Sequence, residues 1–147
     1  MMKLYRITTI FALLLFTSAI VDAQCKAFAK RACLPLLGSS YTHDGNYHAS
    51  VLVAGEEAEL YKTFYSDMDY RVAICGEDNL QVIEFLVMDS NRNILYSSKD
   101  NNYSKTWDFK LQSSQQLKLV VKVAAGKSGS VPASGCVSIM FGFKTKK

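Results

Sequence analysis

The sequence has two histidines, His43 and His48, and any chemistry that needs an imidazole must use one of them. Asp44 follows His43 directly, so these three residues are candidates for a metal site or for a hydrolytic centre. The adjoining Gly45-Asn46 is typical of a turn, and the sequence has no G-x-S-x-G nucleophile motif. The pattern therefore favours a turn that leads into a strand.

A second set of candidate metal ligands consists of Asp89, Asn91 and Asn93, which are spaced like the first ligands of a calcium loop. The sixth position of such a loop requires glycine for its sharp turn, and this sequence has Ile94 there. Asp and Asn also favour β-turns, so the segment predicts a hairpin. We predict no bound cofactor for the chain.

The candidate ligand-binding residues are four tyrosines: Tyr61, Tyr65, Tyr96 and Tyr103. The first two fall on the polar side of an alternating segment, and the other two follow the predicted hairpin. Exposed aromatic rings on a β-sandwich can stack on a sugar or anchor a protein partner. Trp107 lies nearby, but it alternates with Phe109 and Leu111, which indicates a core position.

Segment 126–135 is rich in Gly and Ser and predicts a loop between two strands. It contains Gly126-Lys127-Ser128, which resembles the end of a phosphate-binding loop. The glycine that such a loop needs five residues earlier is replaced by Val121, so we exclude that function. A surface connection fits the composition best, and a functional edge of the fold is the alternative.

The first 23 residues have the pattern of a secretory leader. Lys3 and Arg6 precede an apolar run over residues 10–21, and Val21-Asp22-Ala23 matches a cleavage site. The run is shorter than the ~20 residues that a membrane span needs. We predict cleavage after Ala23, a periplasmic or extracellular protein with no membrane span afterwards, and a single domain over residues 24–147.

Four cysteines would remain after cleavage: Cys25, Cys33, Cys75 and Cys136. An even number in an exported chain predicts disulfides, and no pair has the C-x-x-C spacing of zinc or redox sites. Cys25 lies close to the cleavage site, as a lipid-bearing cysteine would. The preceding Asp22-Ala23-Gln24 does not match the small residues of such a site, so disulfide bonding is favoured.

The net charge argues against a nucleic-acid partner. The formal charge of +4 falls to +3 when Lys3, Arg6 and Asp22 are removed with the leader. A dedicated nucleic-acid binder concentrates basic charge on one face, whereas the basic residues that cluster here are at the C-terminal end of the chain. These are Lys144, Lys146 and Lys147.

The segment that begins at Cys25 predicts a helix over residues 25–34, because its apolar residues form one stripe: Cys25, Phe28, Ala29, Ala32 and Cys33. Pro35 should end the helix by forcing the residue before it out of the helical region. In a regular helix the Cα atoms of Cys25 and Cys33 lie ~12 Å apart, too far for a disulfide.

From residue 41 onward the apolar period is two, and turn signals separate eight candidate strands. These are residues 48–53, 58–65, 69–75, 80–88, 92–97, 106–111, 116–124 and 135–143. The fourth is apolar on both faces, as a central strand covered on both sides would be. The sequence predicts a mainly β protein, an antiparallel β-sandwich or jelly roll with one short N-terminal helix packed on the sheet.

The alternation also predicts on which face of their strands Cys75 and Cys136 lie. Cys75 lies opposite the row of Tyr70, Val72 and Ile74, and Cys136 lies opposite the apolar row of its own strand. Both should point away from the core, toward the helix. We predict that two long-range bridges tie the helix to the sheet. The alternatives are a bond between Cys75 and Cys136 with a distorted turn closed by the other two cysteines, or free thiols.

The order of these motifs resembles uncharacterised exported proteins of Bacteroidetes-type bacteria. The motifs are the cysteine-bearing helix, His43-Asp-Gly-Asn46, Asp69 to Cys75, Trp107-Asp-Phe109 and Gly135 to Gly142. Residues 57–143 are more distantly similar to pre-peptidase C-terminal modules, which are jelly-roll sandwiches attached to secreted enzymes. Neither resemblance implies a catalytic residue, and we expect this sandwich to stand without the protease domain of the pre-peptidase pattern.

These patterns favour a non-enzymatic exported β-sandwich that binds a glycan, a small ligand or a protein partner. One alternative is a structural envelope protein that forms oligomers through an aromatic face. The other alternative is a hydrolase that uses His43 or His48.

Overall fold

The computed structural model describes residues 18–145, with side chains from Ala23 onward. Most of the predicted leader and the last two lysines lie outside this range. Helix α1 (Ser18–Phe28) is continued by a π-helical turn (Ala29–Cys33) and a 3-10 turn (Leu34–Leu37). None of the helices within the described residues is long and apolar enough to cross a bilayer.

The rest of the described chain is antiparallel β-structure. The strands are β1 (Thr42–His43), β2 (His48–Val53), β3 (Glu57–Phe64), β4 (Met68–Gly76), β5 (Ile83–Met88), β6 (Ile94–Ser97), β7 (Thr106–Lys110), β8 (Gln115–Val123) and β9 (Ser134–Thr145). One sheet has the order β1-β9-β4-β7, and β2 also pairs with β9; the other has the order β3-β8-β5-β6. The predicted β-sandwich is therefore confirmed.

The core lies between the two sheets because each strand alternates apolar and polar residues. On β4, Tyr70, Val72 and Ile74 face this core, as the alternation predicts. They meet side chains of the opposite sheet such as Phe64 and Phe85, which are almost fully buried. Burying one such side chain contributes about 1.5–3 kcal/mol to stability.

A second, smaller cluster holds the helical segment on the outer face of β4 and β9. It contains Phe28 and Ala29 from the helix and Ala73 and Met140 from the sheet. The four cysteines complete it: Cys25 is bonded to Cys136, and Cys33 to Cys75. The two Cα separations are 5.2 and 5.6 Å, within the ordinary range for disulfides. The structure thus has the two helix-to-sheet bridges and not the alternative pairing.

The helical segment differs from the prediction at its end. Leu34 keeps helical dihedral angles, with φ −56° and ψ −40°, and Pro35 occupies the start of the 3-10 turn, where its missing N–H is not needed. The segment ends at Gly38, whose φ of +68° suits glycine. The predicted effect of Pro35 on the preceding residue is therefore wrong, since Leu34 stays in the helical region; at this point the chain changes from the π-helical turn to the 3-10 turn.

Two strand predictions also need correction. β5 begins at Ile83 and not at residue 80, because Leu80 belongs to a turn in which its N–H donates to the carbonyl of Glu77 at 3.0 Å. Leu80 is apolar because its side chain is buried in the core. β5 is central in its sheet, but Leu86 and Met88 on its outer face are half-buried, so the expected cover on both faces is absent.

Candidate functional site

The histidine cluster forms a turn, and its carboxylate is engaged within it. Asp44 accepts hydrogen bonds from the ammonium of Lys62 at 2.8 Å and from the N–H of Asn46 at 2.9 Å. Burial on its own would raise the pKa of Asp44, but these hydrogen bonds outweigh it and lower the pKa. The Nε2 atom of His43 lies 3.1 Å from the carbonyl oxygen of Asn46. Asp44 is therefore a charged structural group of the turn.

His48 is separate from this hydrogen-bonded turn. Its ring contacts the edge of Phe141, with the ring centroids 5.5 Å apart, and its Nε2 atom is buried with no hydrogen-bond partner among the described residues. Burial lowers the pKa of His48, so the ring is neutral at pH 7. Within residues 18–145 no three His, Cys, Asp or Glu side chains are grouped to hold a metal ion.

The candidate calcium ligands Asp89, Asn91 and Asn93 form the predicted hairpin, which joins β5 and β6. The carboxylate of Asp89 accepts hydrogen bonds from the N–H groups of Asn91 at 2.8 Å and Asn93 at 2.9 Å. Its second oxygen accepts one from the side-chain amide of Asn93 at 2.8 Å. Both carboxylate oxygens thus stabilise the hairpin, and these bonds lower the pKa of Asp89.

The four candidate tyrosines do not form one surface. Tyr61 and Tyr65 are exposed on and just after β3, and Tyr96 belongs to β6 at the opposite edge of the same sheet. Tyr96 stacks on Trp107 of the other sheet, with ring centroids 5.0 Å apart. Sequence periodicity does not reveal this stack, because it joins edge strands of two different sheets. Tyr103 is 44% exposed in the segment between β6 and β7.

At one end of the sandwich, three connecting segments are joined by hydrogen bonds and carry exposed apolar side chains. This "loop end" consists of the β2–β3 turn (residues 54–56), the β4–β5 loop (77–82) and the β8–β9 loop (124–133). In the β8–β9 loop Val131 is 92% exposed, and Val82 of the β4–β5 loop is also exposed.

Backbone hydrogen bonds join the three segments of the loop end. Ala54 donates to the carbonyl of Ala133 at 2.8 Å, and Ala124 donates to the carbonyl of Val82 at 2.9 Å. The tip of the β8–β9 loop is itself closed, because the hydroxyl of Ser130 donates to the carbonyl of Lys127 at 2.7 Å. These bonds hold the two ends of the β8–β9 loop and close a turn at residues 127–130, and Val131 projects from the segment between them.

The β4–β5 loop is held to β9 by side chains. Glu77 accepts a hydrogen bond from the N–H of Cys136 at 2.9 Å, and Asn79 donates to the carbonyl of Ser134 at 2.7 Å. The lack of a side chain at Gly135 makes room for both, since a Cβ there would lie 2.8 Å from the Asn79 oxygen.

Composition predicted a loop at 126–135, but it did not single out Val131 as a functional residue. The signal that could have identified Val131 is a lone β-branched residue in a Gly/Ser-rich run.

No protein-family model matches the sequence, and no curated protein matches it either. Among solved structures, the fold is similar to PliG, a periplasmic lysozyme inhibitor of g-type lysozyme from Aeromonas hydrophila. The TM-score is 0.50 at 12% sequence identity, and the alignment covers 67% of this chain and 85% of PliG. The likeness concerns the fold alone.

Proposed function

We propose that the chain is an exported, non-enzymatic β-sandwich that binds a protein partner through its loop end. The observation that carries this proposal is the 92% exposure of Val131 on a loop whose two ends are tied by backbone hydrogen bonds to two neighbouring segments. An apolar side chain displayed in this way can be buried by a partner, and a supported loop loses little conformational entropy when it binds.

A protein partner fits the surface better than a glycan. A glycan site would use aromatic rings that lie side by side, and the exposed Tyr61 and the stacked Tyr96 are on opposite edges of one sheet. A projecting loop suits a concave protein surface such as an enzyme cleft. Because PliG inhibits a g-type lysozyme, an enzyme of the lysozyme class is a concrete candidate for that partner.

Export is supported by the leader pattern and by the disulfides, which persist in oxidising compartments. The bond between Cys25 and Cys136 also bears on anchoring, because a lipid-bearing cysteine uses the same sulfur atom. We therefore infer a protein without a lipid anchor at Cys25. Its compartment in this proposal is the periplasm or the medium.

The test uses the full chain, secreted by an expression host and purified with its disulfides formed. Binding to a g-type lysozyme is measured by calorimetry, and inhibition is measured as the rate of cell-wall lysis. We expect 1:1 binding, weakened at least tenfold by Val131→Asp. Ile94→Asp is the matched control, since Ile94 is 61% exposed but follows the hairpin at the opposite end of β5.

Two results would contradict the proposal. Equal loss of binding in the two variants would show that the loop end is not the contact surface. Absence of binding to lysozymes of every class tested, with no effect on lysis, would remove the lysozyme class as the partner.

A further inference from the structure

A cavity of about 330 Å³ opens between the sheets at the loop end, where the β4–β5 loop forms part of its wall. Three core side chains that line it are almost completely buried: Ile74 of β4, Leu80 of the β4–β5 loop and Phe85 of β5. Protein cores seldom leave voids much larger than a water molecule, whereas ligand sites begin at ~300 Å³. The interior of the cavity is thus apolar and large enough for a small molecule.

The rim of the cavity is polar and fixed in place. Tyr103 lies there with a φ of +54°, which is uncommon for a residue with a side chain, and its N–H donates to the carbonyl of Ser98 at 2.7 Å. The hydroxyl of Ser104 is engaged within its own segment, because it donates a hydrogen bond to the carbonyl of Thr106 at 2.9 Å. The phenol of Tyr103 is the aromatic group at the entrance.

Lys105 supplies a positive charge at the same rim. Its carbonyl accepts a hydrogen bond from the N–H of Ile74 at 2.8 Å, which fixes its backbone beside the cavity. Its ammonium is exposed and has no ion-pair or hydrogen-bond partner among the described side chains. The carboxylate of Glu77 also lines the cavity, but it accepts a hydrogen bond from the N–H of Cys136 and is engaged there. Asp78 completes the charged rim and is exposed.

We propose that this cavity binds a small amphipathic carboxylate. Its apolar portion would lie between the sheets against Phe85 and Leu80, and its carboxylate would reach the ammonium of Lys105. Burial of the apolar part supplies most of the affinity, since it removes hydrocarbon from water. The exposed ion pair with Lys105 adds less, and it distinguishes a carboxylate from an uncharged head group; the carboxylates of Glu77 and Asp78 at the same rim reduce this contribution. Binding here does not depend on the proposed protein partner.

The probes are octanoate and 1-octanol, which share a chain length and differ in charge. Both are titrated into the full chain at low salt, and backbone amide shifts are followed by NMR. We expect saturable shifts at Ile74 and Phe85, with dissociation constants on the order of 1 mM or tighter. Lys105→Met should weaken octanoate binding about two- to fivefold and leave 1-octanol unchanged. Lys110→Met, an exposed lysine at the other end of β7, is the control.

Several outcomes would overturn the carboxylate proposal. Shifts centred outside the cavity, or none at millimolar concentrations, would show that it is not a ligand site. Equal effects of the two lysine variants would remove the role of Lys105. If octanoate fails to bind but a protein partner shifts the Phe85 amide, the cavity accepts a side chain of that partner instead.

Discussion

Cys25 and Cys136 are joined by a disulfide although they are 111 positions apart in the sequence. The bond connects the N-terminal helix to the last strand, and the bond between Cys33 and Cys75 connects the end of the same segment to β4. Two neighbouring strands of one sheet are thereby tied to one helical segment. The smaller apolar cluster is closed by covalent bonds as well as by packing.

Removing either bridge should lower the free energy of unfolding by about 2–5 kcal/mol, because each bond restricts the unfolded chain. The variants are Cys25→Ala with Cys136→Ala, and Cys33→Ala with Cys75→Ala, compared by urea denaturation. The core between the sheets contains none of these cysteines, so β-structure should persist in both variants. A change below ~0.5 kcal/mol in either pair would contradict this account of the helix.

His48 should make the protein less stable in mild acid. Burial lowers the pKa of His48 below 6.5 in the folded protein, so the unfolded chain binds the proton more readily. The contribution of the neutral His48 ring to the free energy of unfolding is fully present above pH 6.5. It is lost as the pH falls from 6.5 toward the lowered pKa. The charges that also act on the ring are those of Asp44, Lys62 and His43.

This pH effect is measured by urea unfolding at pH 7 and pH 5. His48→Phe should reduce the loss of stability between these values, since the aromatic contact with Phe141 is kept and the proton site is removed. His43→Gln is the comparison variant; it removes one of the groups that lower the pKa of His48 but keeps the buried ring, so it should change the loss of stability less than His48→Phe does. The same loss in His48→Phe as in the parent would show that other groups cause it.

Gly142 allows the turn after the helix to pack closely on β9. A Cβ at this position would lie 2.8 Å from the Cβ of Tyr41 and 3.3 Å from a methyl group of Leu37. Gly142→Ala should therefore destabilise the protein by about 1–3 kcal/mol. Gly126→Ala, where the nearest atom would be 3.8 Å away, should change stability by less than ~0.5 kcal/mol, and thermal unfolding compares the two. Equal effects would contradict the close packing.

The sequence predicted the faces of the strands better than their ends. The period of two on β4 separates Tyr70, Val72 and Ile74 from Cys75, and the structure keeps that separation. The separation of the two faces was enough to favour disulfide bonds between the helix and the sheet. It was not enough to say which helix cysteine meets which strand, because that depends on how the helix is placed along β4 and β9.

The candidate site could be predicted only in part. Composition marked the β8–β9 loop, but it did not show that the backbone bonds at the ends of this loop join three segments distant in sequence, nor that Val131 is exposed there. Hydrophobicity likewise assigned Leu80 to a strand, since an apolar residue buried from a turn gives the same signal as one in a sheet. The first case is decided by contacts between distant segments, and the second by a local turn that places Leu80 against the core.

The central claim, binding of a protein through the loop end, is tested most directly by hydrogen exchange of the full chain with and without a g-type lysozyme. The account predicts that the lysozyme slows exchange in residues 77–82 and 124–133 and leaves the hairpin at residues 89–93 unchanged. Slowed exchange at the hairpin with none at the loop end would contradict it.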